Sequence, residues 1–153
     1  MIEDLKNIVE EVISEQPEFF CVNCEVIPKN NYKVYLDGDQ GITIQQCAIF
    51  NKAINKKLIL LDFFAQQNYS LEVSSPGAEN PLLFPRQYKK HLLRNLKIEL
   101  KEEPLTTVEG KLLQIFNDYV LIEITTGKGH KKLISTQEIP FNNINKTTVQ
   151  LQF

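Results

Sequence analysis

Ile2, Leu5, Ile8, Val9, Val12 and Ile13 recur every three or four residues, which places them on one face of a helix over residues 2–15. Pro17 ends it, because the residue before a proline is pushed out of helical backbone. The period then falls to two. Phe20, Val22, Cys24 and Val26 alternate with Cys21, Asn23 and Glu25, which predicts a strand with one buried face. Across the turn Pro28-Lys29-Asn30-Asn31, the alternation of Tyr32, Val34 and Leu36 with Lys33, Tyr35 and Asp37 predicts its hairpin partner. Asp37-Gly38-Asp39-Gln40-Gly41 interrupts the pattern. Thr43 followed by Gln46 is a capping-box pair, so a second helix is expected over 44–57 with Ile44, Cys47, Ala48, Ile54 and Leu58 as its buried stripe. Leu71 and Val73 alternate with polar neighbours in a strand over Tyr69–Ser75, completing an α-β-β-α-β module. Such a module buries its helices against one face of a three-stranded sheet.

Pro85 opens a short helical connector over Arg86–Leu93, and beyond it the period stays at two. Leu96, Ile98 and Leu100 mark one strand, and Val108–Phe116 a second that contains Gly110, a residue suited to a bulge. Asn117-Asp118 turns the chain into a strand over Tyr119–Thr125. The glycine-rich tip Gly127-Lys128-Gly129-His130 leads to a strand over Lys131–Ser135, and Thr147, Val149, Leu151 and Phe153 mark the last. Five short strands predict a small closed barrel, and the period alone does not choose among Sm-like, SH3-like and OB types.

Charge divides the chain where the pattern does. Residues 1–84 hold 6 Lys and Arg against 12 Asp and Glu, net −6; residues 85–153 hold 11 against 7, net +4. Two domains with different electrostatic roles are expected, 1–84 acidic and 85–153 basic. At 42% hydrophobic and 24% charged residues the composition is that of a globular protein. Apolar runs such as Leu58–Leu61 fall far short of the roughly 20 residues that span a bilayer. The first helix carries acids from its start, so no signal peptide is read, and three cysteines cannot all pair, which favours a reducing cytoplasm.

The stretch Leu71-Glu72-Val73-Ser74-Ser75-Pro76-Gly77, with Pro81-Leu82 beyond it, ends a strand in a turn. Proline second and glycine third suit a type II turn, and the two hydroxyls can bond to backbone groups the turn leaves unpaired. This string resembles the signature of the bacterial ribosome maturation factor RimP family. The resemblance extends to Gly41-Ile42-Thr43 with Cys47, to Pro85-Arg86-Gln87-Tyr88-Lys89-Lys90, and to Ile139-Pro140-Phe141, and so covers nearly the whole chain. Two positions depart from the family pattern. Glu79-Asn80 stands where an Asp-Arg pair is usual, and Leu92-Leu93 lies where a glycine commonly follows the Tyr-Lys segment. The resemblance implies an Sm-like barrel for residues 85–153. It also implies contact with the RNA of the small ribosomal subunit and, through the barrel, with a small-subunit ribosomal protein.

Candidate chemistry is sparse outside one basic constellation. Cys21-Val22-Asn23-Cys24 has CxxC form, but residues three apart on a regular strand point to opposite faces. Cys24 and Cys47 are therefore read as core thiols and Cys21 as incidental. Ser74-Ser75 has no nucleophile elbow around it, and both histidines lie among lysines without an adjacent acid. Asp37-Gly38-Asp39 lacks the later ligands of a calcium loop and is read as a solvated exit loop. No catalytic residue, metal or cofactor is expected. Arg86, Lys89, Lys90, Arg94 and Lys97 fall within twelve residues without one acid, with His91 among them. At α-helical spacing the first three share a face, with Tyr88 as a stacking group beside them. Lys128, Lys131 and Lys132 form a second cluster at the glycine-rich tip. Such patches are built for phosphates, giving salt-dependent affinity that is largely blind to sequence.

The expectation is a monomeric binding protein, not an enzyme, that acts on immature small ribosomal subunits through Arg86, Lys89, Lys90, Arg94, Lys97, Lys128, Lys131 and Lys132. The turn Ser74, Ser75, Pro76 and Gly77 serves as hinge and contact surface. No membrane and no small-molecule substrate enters the reading. The alternative is an Sm-like RNA-binding protein that self-associates through its edge strands.

Overall fold

The structure, a computed structural model, describes residues 2–77, 80–102 and 104–150. Two compact units form, residues 1–76 and 77–153, each with its own core. The class is α+β.

In the first unit, helix α1 (Ile2–Ile13) buries Leu5, Ile8, Val9 and Ile13, as its apolar spacing requires. Strands β1 (Phe19–Ile27) and β2 (Asn31–Gly38) pair antiparallel, and β3 (Ser70–Ser74) pairs parallel to β2, giving the order β1-β2-β3. A parallel pair needs a crossover. Helix α2 (Ile44–Leu58) and the single turn α3 (Asp62–Ala65) supply it. The expected capping box is present: Gln46 N–H donates to Thr43 Oγ1 at 3.0 Å and Thr43 N–H to Gln46 Oε1 at 2.8 Å. The buried stripe of α2 is Cys47, Phe50, Ile54 and Leu58. Ile44, expected on that stripe, is 90% exposed because it sits in the first turn, and Ala48 is also exposed.

Strand β1 departs from simple alternation. Its register runs Cys21↔Leu36 and then Asn23↔Tyr35, so Val22 is an extra residue, a bulge. The bulge inverts the phase of the strand. Before it the odd positions meet the core, with Phe19 edge-on to Phe50 at 5.3 Å; after it the even position Cys24 does. Of the expected face Phe20, Val22, Cys24 and Val26, Val22 and Cys24 are buried, Phe20 is half-buried and Val26 is exposed.

The second unit is a five-stranded antiparallel sheet of order β7-β6-β5-β4-β8. Its strands are β4 (Asn95–Leu100), β5 (Thr106–Ile115), β6 (Tyr119–Thr126), β7 (Leu133–Pro140) and β8 (Ile144–Val149). The fourth strand thus begins and ends later than the expected Lys131–Ser135. The last begins earlier than expected, and Leu151 and Phe153 lie outside the described residues. Among the described residues no ladder joins β7 to β8, so no closed barrel is formed by them. One face of the sheet is filled by Leu96, Ile98, Leu112, Val120, Ile122 and Ile139, all nearly or fully buried. Leu113 of β5 is an extra residue opposite β6, and Asn145 of β8 is an extra residue opposite β4. Gly110, expected at a bulge, pairs regularly with Leu96. A Cβ there would lie 2.4 Å from the Glu123 carbonyl oxygen, so glycine is required by the close approach of β6.

Candidate functional site

The connector is a 3₁₀ helix, Pro85–His91, and three buried side chains pin it to the second unit. Gln87 Oε1 accepts from the backbone N–H of Leu83 at 2.7 Å and of Phe84 at 2.9 Å, closing the entry turn ahead of Pro85. Tyr88 is 3% exposed; its hydroxyl donates to Thr147 Oγ1 at 2.6 Å and its ring meets Phe141 edge-on at 5.3 Å. Burial pushes the Tyr88 phenol up, and the hydrogen bond to Thr147 partly offsets it. The ring expected to stack on a base is therefore a core residue. His91, expected to join the cations, is buried as well.

The type of helix decides which cations line up. With three residues per turn, residues three apart eclipse. Arg86 and Lys89 therefore share a face, whereas Lys90 falls in line with the buried Gln87; Lys89 is exposed, and Arg86 and Lys90 are both half-buried. The connector ends at Leu93, whose φ of 67° lies in the left-handed region. Its backbone is locked there, since Leu93 N–H donates to the Leu112 carbonyl at 2.7 Å and Leu112 N–H donates to the Arg94 carbonyl at 2.9 Å. Arg94 is exposed just beyond.

Lys97 belongs to a different setting. It stands on the solvent face of β4, directly opposite Glu109 of β5. The same face opposes Lys111 to Glu123 and Glu99 to Lys146, so its charges are largely matched across the strands. Sequence adjacency hides these pairings, which only the register reveals. Positive charge accumulates instead where the strands end.

Lys128, Lys131 and Lys132 lie at such an end, exposed on the β6–β7 connection. A turn of 3₁₀ helix, Gly129–Lys131, shapes it through Lys131 N–H to Lys128 O at 3.1 Å and Lys132 N–H to Gly129 O at 3.2 Å. Gly127 makes the fold-back possible. Its φ is 78°, and a Cβ would sit 2.2 Å from the Lys131 carbonyl oxygen.

The turn Ser74, Ser75, Pro76 and Gly77 leaves β3 in the first unit. Gly77 has φ of 82°, the value the third position of a type II turn demands, while Ala78 and Glu79 lie outside the described residues. Ser74 and Ser75 border a groove of about 320 Å³ against the start of α2, with Thr43, Ile44 and Asn51 on its other wall. The capping box signalled where α2 begins, but only the β2–β3 pairing brings that end beside the serines. Asp37, expected in a solvated loop, is fully buried and accepts from Gly38 N–H at 2.8 Å. Among the described residues no group of three or more His, Cys, Asp and Glu is placed to hold a metal ion, and no helix is long and apolar enough to cross a membrane.

Counted over the two units, residues 1–76 carry 6 Lys and Arg against 11 Asp and Glu, net −5, and residues 77–153 carry 11 against 8, net +3. Fold and surface together define an α+β protein of two units, one acidic and helix-bearing, the other a basic sheet with its cations on the connections. The RimP N-terminal domain family matches residues 8–79. The Ribosome maturation factor RimP of Flavobacterium psychrophilum is 28% identical over 157 aligned positions, covering 99% of this chain and 97% of that protein. The protein of the same name from Christiangramia forsetii is 26% identical over 157 positions, covering 99% and 98%. That from Cytophaga hutchinsonii is 33% identical over 102 positions, covering 65% and 61%. Over nearly its whole length the chain is similar to proteins named ribosome maturation factor RimP.

Proposed function

We propose that this protein is a ribosome maturation factor that promotes assembly of the small ribosomal subunit by binding immature subunits, without making or breaking covalent bonds. A binding factor can shift a folding RNA only through differential affinity for its conformers, and here that affinity is electrostatic. Arg86 with Lys89 on the connector, and Lys128, Lys131 and Lys132 at the tip, supply the phosphate contacts; Arg94 and Lys90 flank them, and Lys97 contributes least. The observation that carries the reading is the separation of charge. Cations gather on the backbone-locked connections of the second unit, while its sheet face is matched in sign.

In this reading the five-stranded sheet is an Sm-like barrel that also contacts a small-subunit ribosomal protein. Support comes from its core. Leu96, Ile98, Leu112 and Ile122 are fully buried, and among the described residues of the second unit there is no α-helix, which supports a sheet that curls over its own core. The protein works as a soluble cytoplasmic monomer. The test is co-sedimentation of the purified protein with immature small subunits, mature small subunits and complete ribosomes. Retention on immature subunits above the other two supports the proposal; equal retention on complete ribosomes, or none on any particle, refutes it.

One observation favours a second reading, the self-associating RNA-binder. Among the described residues β7 is an edge strand, exposed along nearly all its length, with Leu133 69% and Ile134 59% exposed. Size-exclusion chromatography separates the two: the maturation factor elutes as a monomer of 17.7 kDa, the self-associating protein as a ring several times larger.

A further inference from the structure

The bulge in β1 does more than break alternation. On a regular strand Cys21 and Cys24 would face opposite sides. Here Cys21 pairs with Leu36 and Cys24 with Val34, two residues of β2 that both meet the core, so the two sulfurs share one face. They lie 3.6 Å apart and share a hydrogen bond. Cys21 is partly exposed and Cys24 is buried, so the pair lies at the margin of the core. Cys47 is a separate buried thiol, its proton held by desolvation.

We propose that Cys21 and Cys24 form a reactive dithiol, a modification site at which a hydroperoxide closes an intrachain disulfide. The hydrogen bond from Cys21 lowers the Cys24 thiol below its ordinary value, and Lys6 of α1 adds to this against burial and Glu10. The same bond, with burial, raises Cys21. One sulfur of the pair is thus ready to ionise while the other keeps its proton. The Cys24 thiolate attacks one peroxide oxygen, the O–O bond breaks, and hydroxide leaves, giving a sulfenic acid. Cys21 Sγ then attacks Cys24 Sγ. The S–O bond breaks, the Cys21 proton goes with the departing oxygen as water, and the disulfide forms. Two thiols are oxidised and one peroxide is reduced to water. The sulfurs must approach from 3.6 Å to about 2.05 Å. Val22, the extra residue between them, stands outside the ladder, so no cross-strand pair is broken at that position as the sulfurs close.

The experiment treats the full, folded chain with hydrogen peroxide, quenches, alkylates in denaturant, and maps the peptides by mass. The expected result is a loss of two alkylation sites and two hydrogens, a cross-link joining Cys21 to Cys24, an alkylated Cys47, and recovery of all three thiols with dithiothreitol. Closure is faster in the folded chain than in urea, where the bulge no longer holds the sulfurs together. Cys47→Ser leaves the cross-link intact; Cys24→Ser removes it. A cross-link through Cys47, stepwise over-oxidation of Cys21 with no cross-link, or equal rates in folded and unfolded chains overturns the proposal. The wild-type map decides the matter even if a variant fails to fold.

Discussion

The two units solve the problem of covering a sheet in different ways. In the first, α1 and α2 bring Leu5, Val9, Ile54 and Leu58 against the sheet, so the core is shared between helices and strands. In the second the strands themselves supply nearly all of it, with Tyr88 on a short 3₁₀ helix the chief exception. The difference reaches the surface. Helix α1 carries Glu3, Asp4, Glu10 and Glu11 on its exposed side, whereas the sheet of the second unit sets Lys97 opposite Glu109 and Lys111 opposite Glu123.

Mutations separate the two modes, the largest effect coming first. Leu5→Ala opens a cavity under α1 and is expected to cost about 3 kcal/mol of local stability. Hydrogen exchange of α1 and α2 amides measures it, and unchanged protection there would mean the helices do not carry this core. Gly110→Ala is the counterpart in the second unit. The added methyl collides with the Glu123 backbone, so a loss of about 2 kcal/mol is expected in the exchange of β5 and β6. Leu93→Gly runs the other way. Leu93 is 66% exposed, so its side chain gives up little packing, and release from left-handed backbone is expected to stabilise the unit by about 1 kcal/mol in urea titration. Smallest is Lys97→Ala, which leaves Glu109 unmatched and is expected to weaken RNA binding less than Lys89→Ala in the same assay.

The first unit was the more legible in the sequence, because a helical stripe and a capping box are local. Thr43 and Gln46 announced α2, and the spacing from Leu5 to Ile13 announced α1. What the sequence hid depends on neighbours across strands. A bulge is a two-to-one count against a partner, so nothing in Cys21-Val22-Asn23-Cys24 alone reveals that Val22 is extra. Gly110 looked like a bulge and is a close approach for the same reason. Of the candidate site, the cations were plain from their spacing, but their grouping was not. Lys97 is set apart by Glu109, Lys90 by the 3₁₀ period, and Tyr88 and His91 by burial. The departure at Leu92-Leu93 also gains a physical meaning. Leu93 holds the positive φ that glycine adopts without strain.

If nucleic acid meets the connections of the second unit, its phosphates must set the salt dependence of binding. The decisive quantity is the slope of log Kd against log salt for binding to small-subunit RNA. Three proteins are compared: the wild type, an Arg86→Glu, Lys89→Glu variant and a Lys128→Glu, Lys131→Glu, Lys132→Glu variant. Removing one phosphate interaction is expected to lower the slope by about one unit, so both variants bind more weakly and with shallower salt dependence. Wild-type affinity and slope in both variants would contradict this assignment and move the RNA elsewhere, with the groove beside Ser74 and Ser75 the next surface to test.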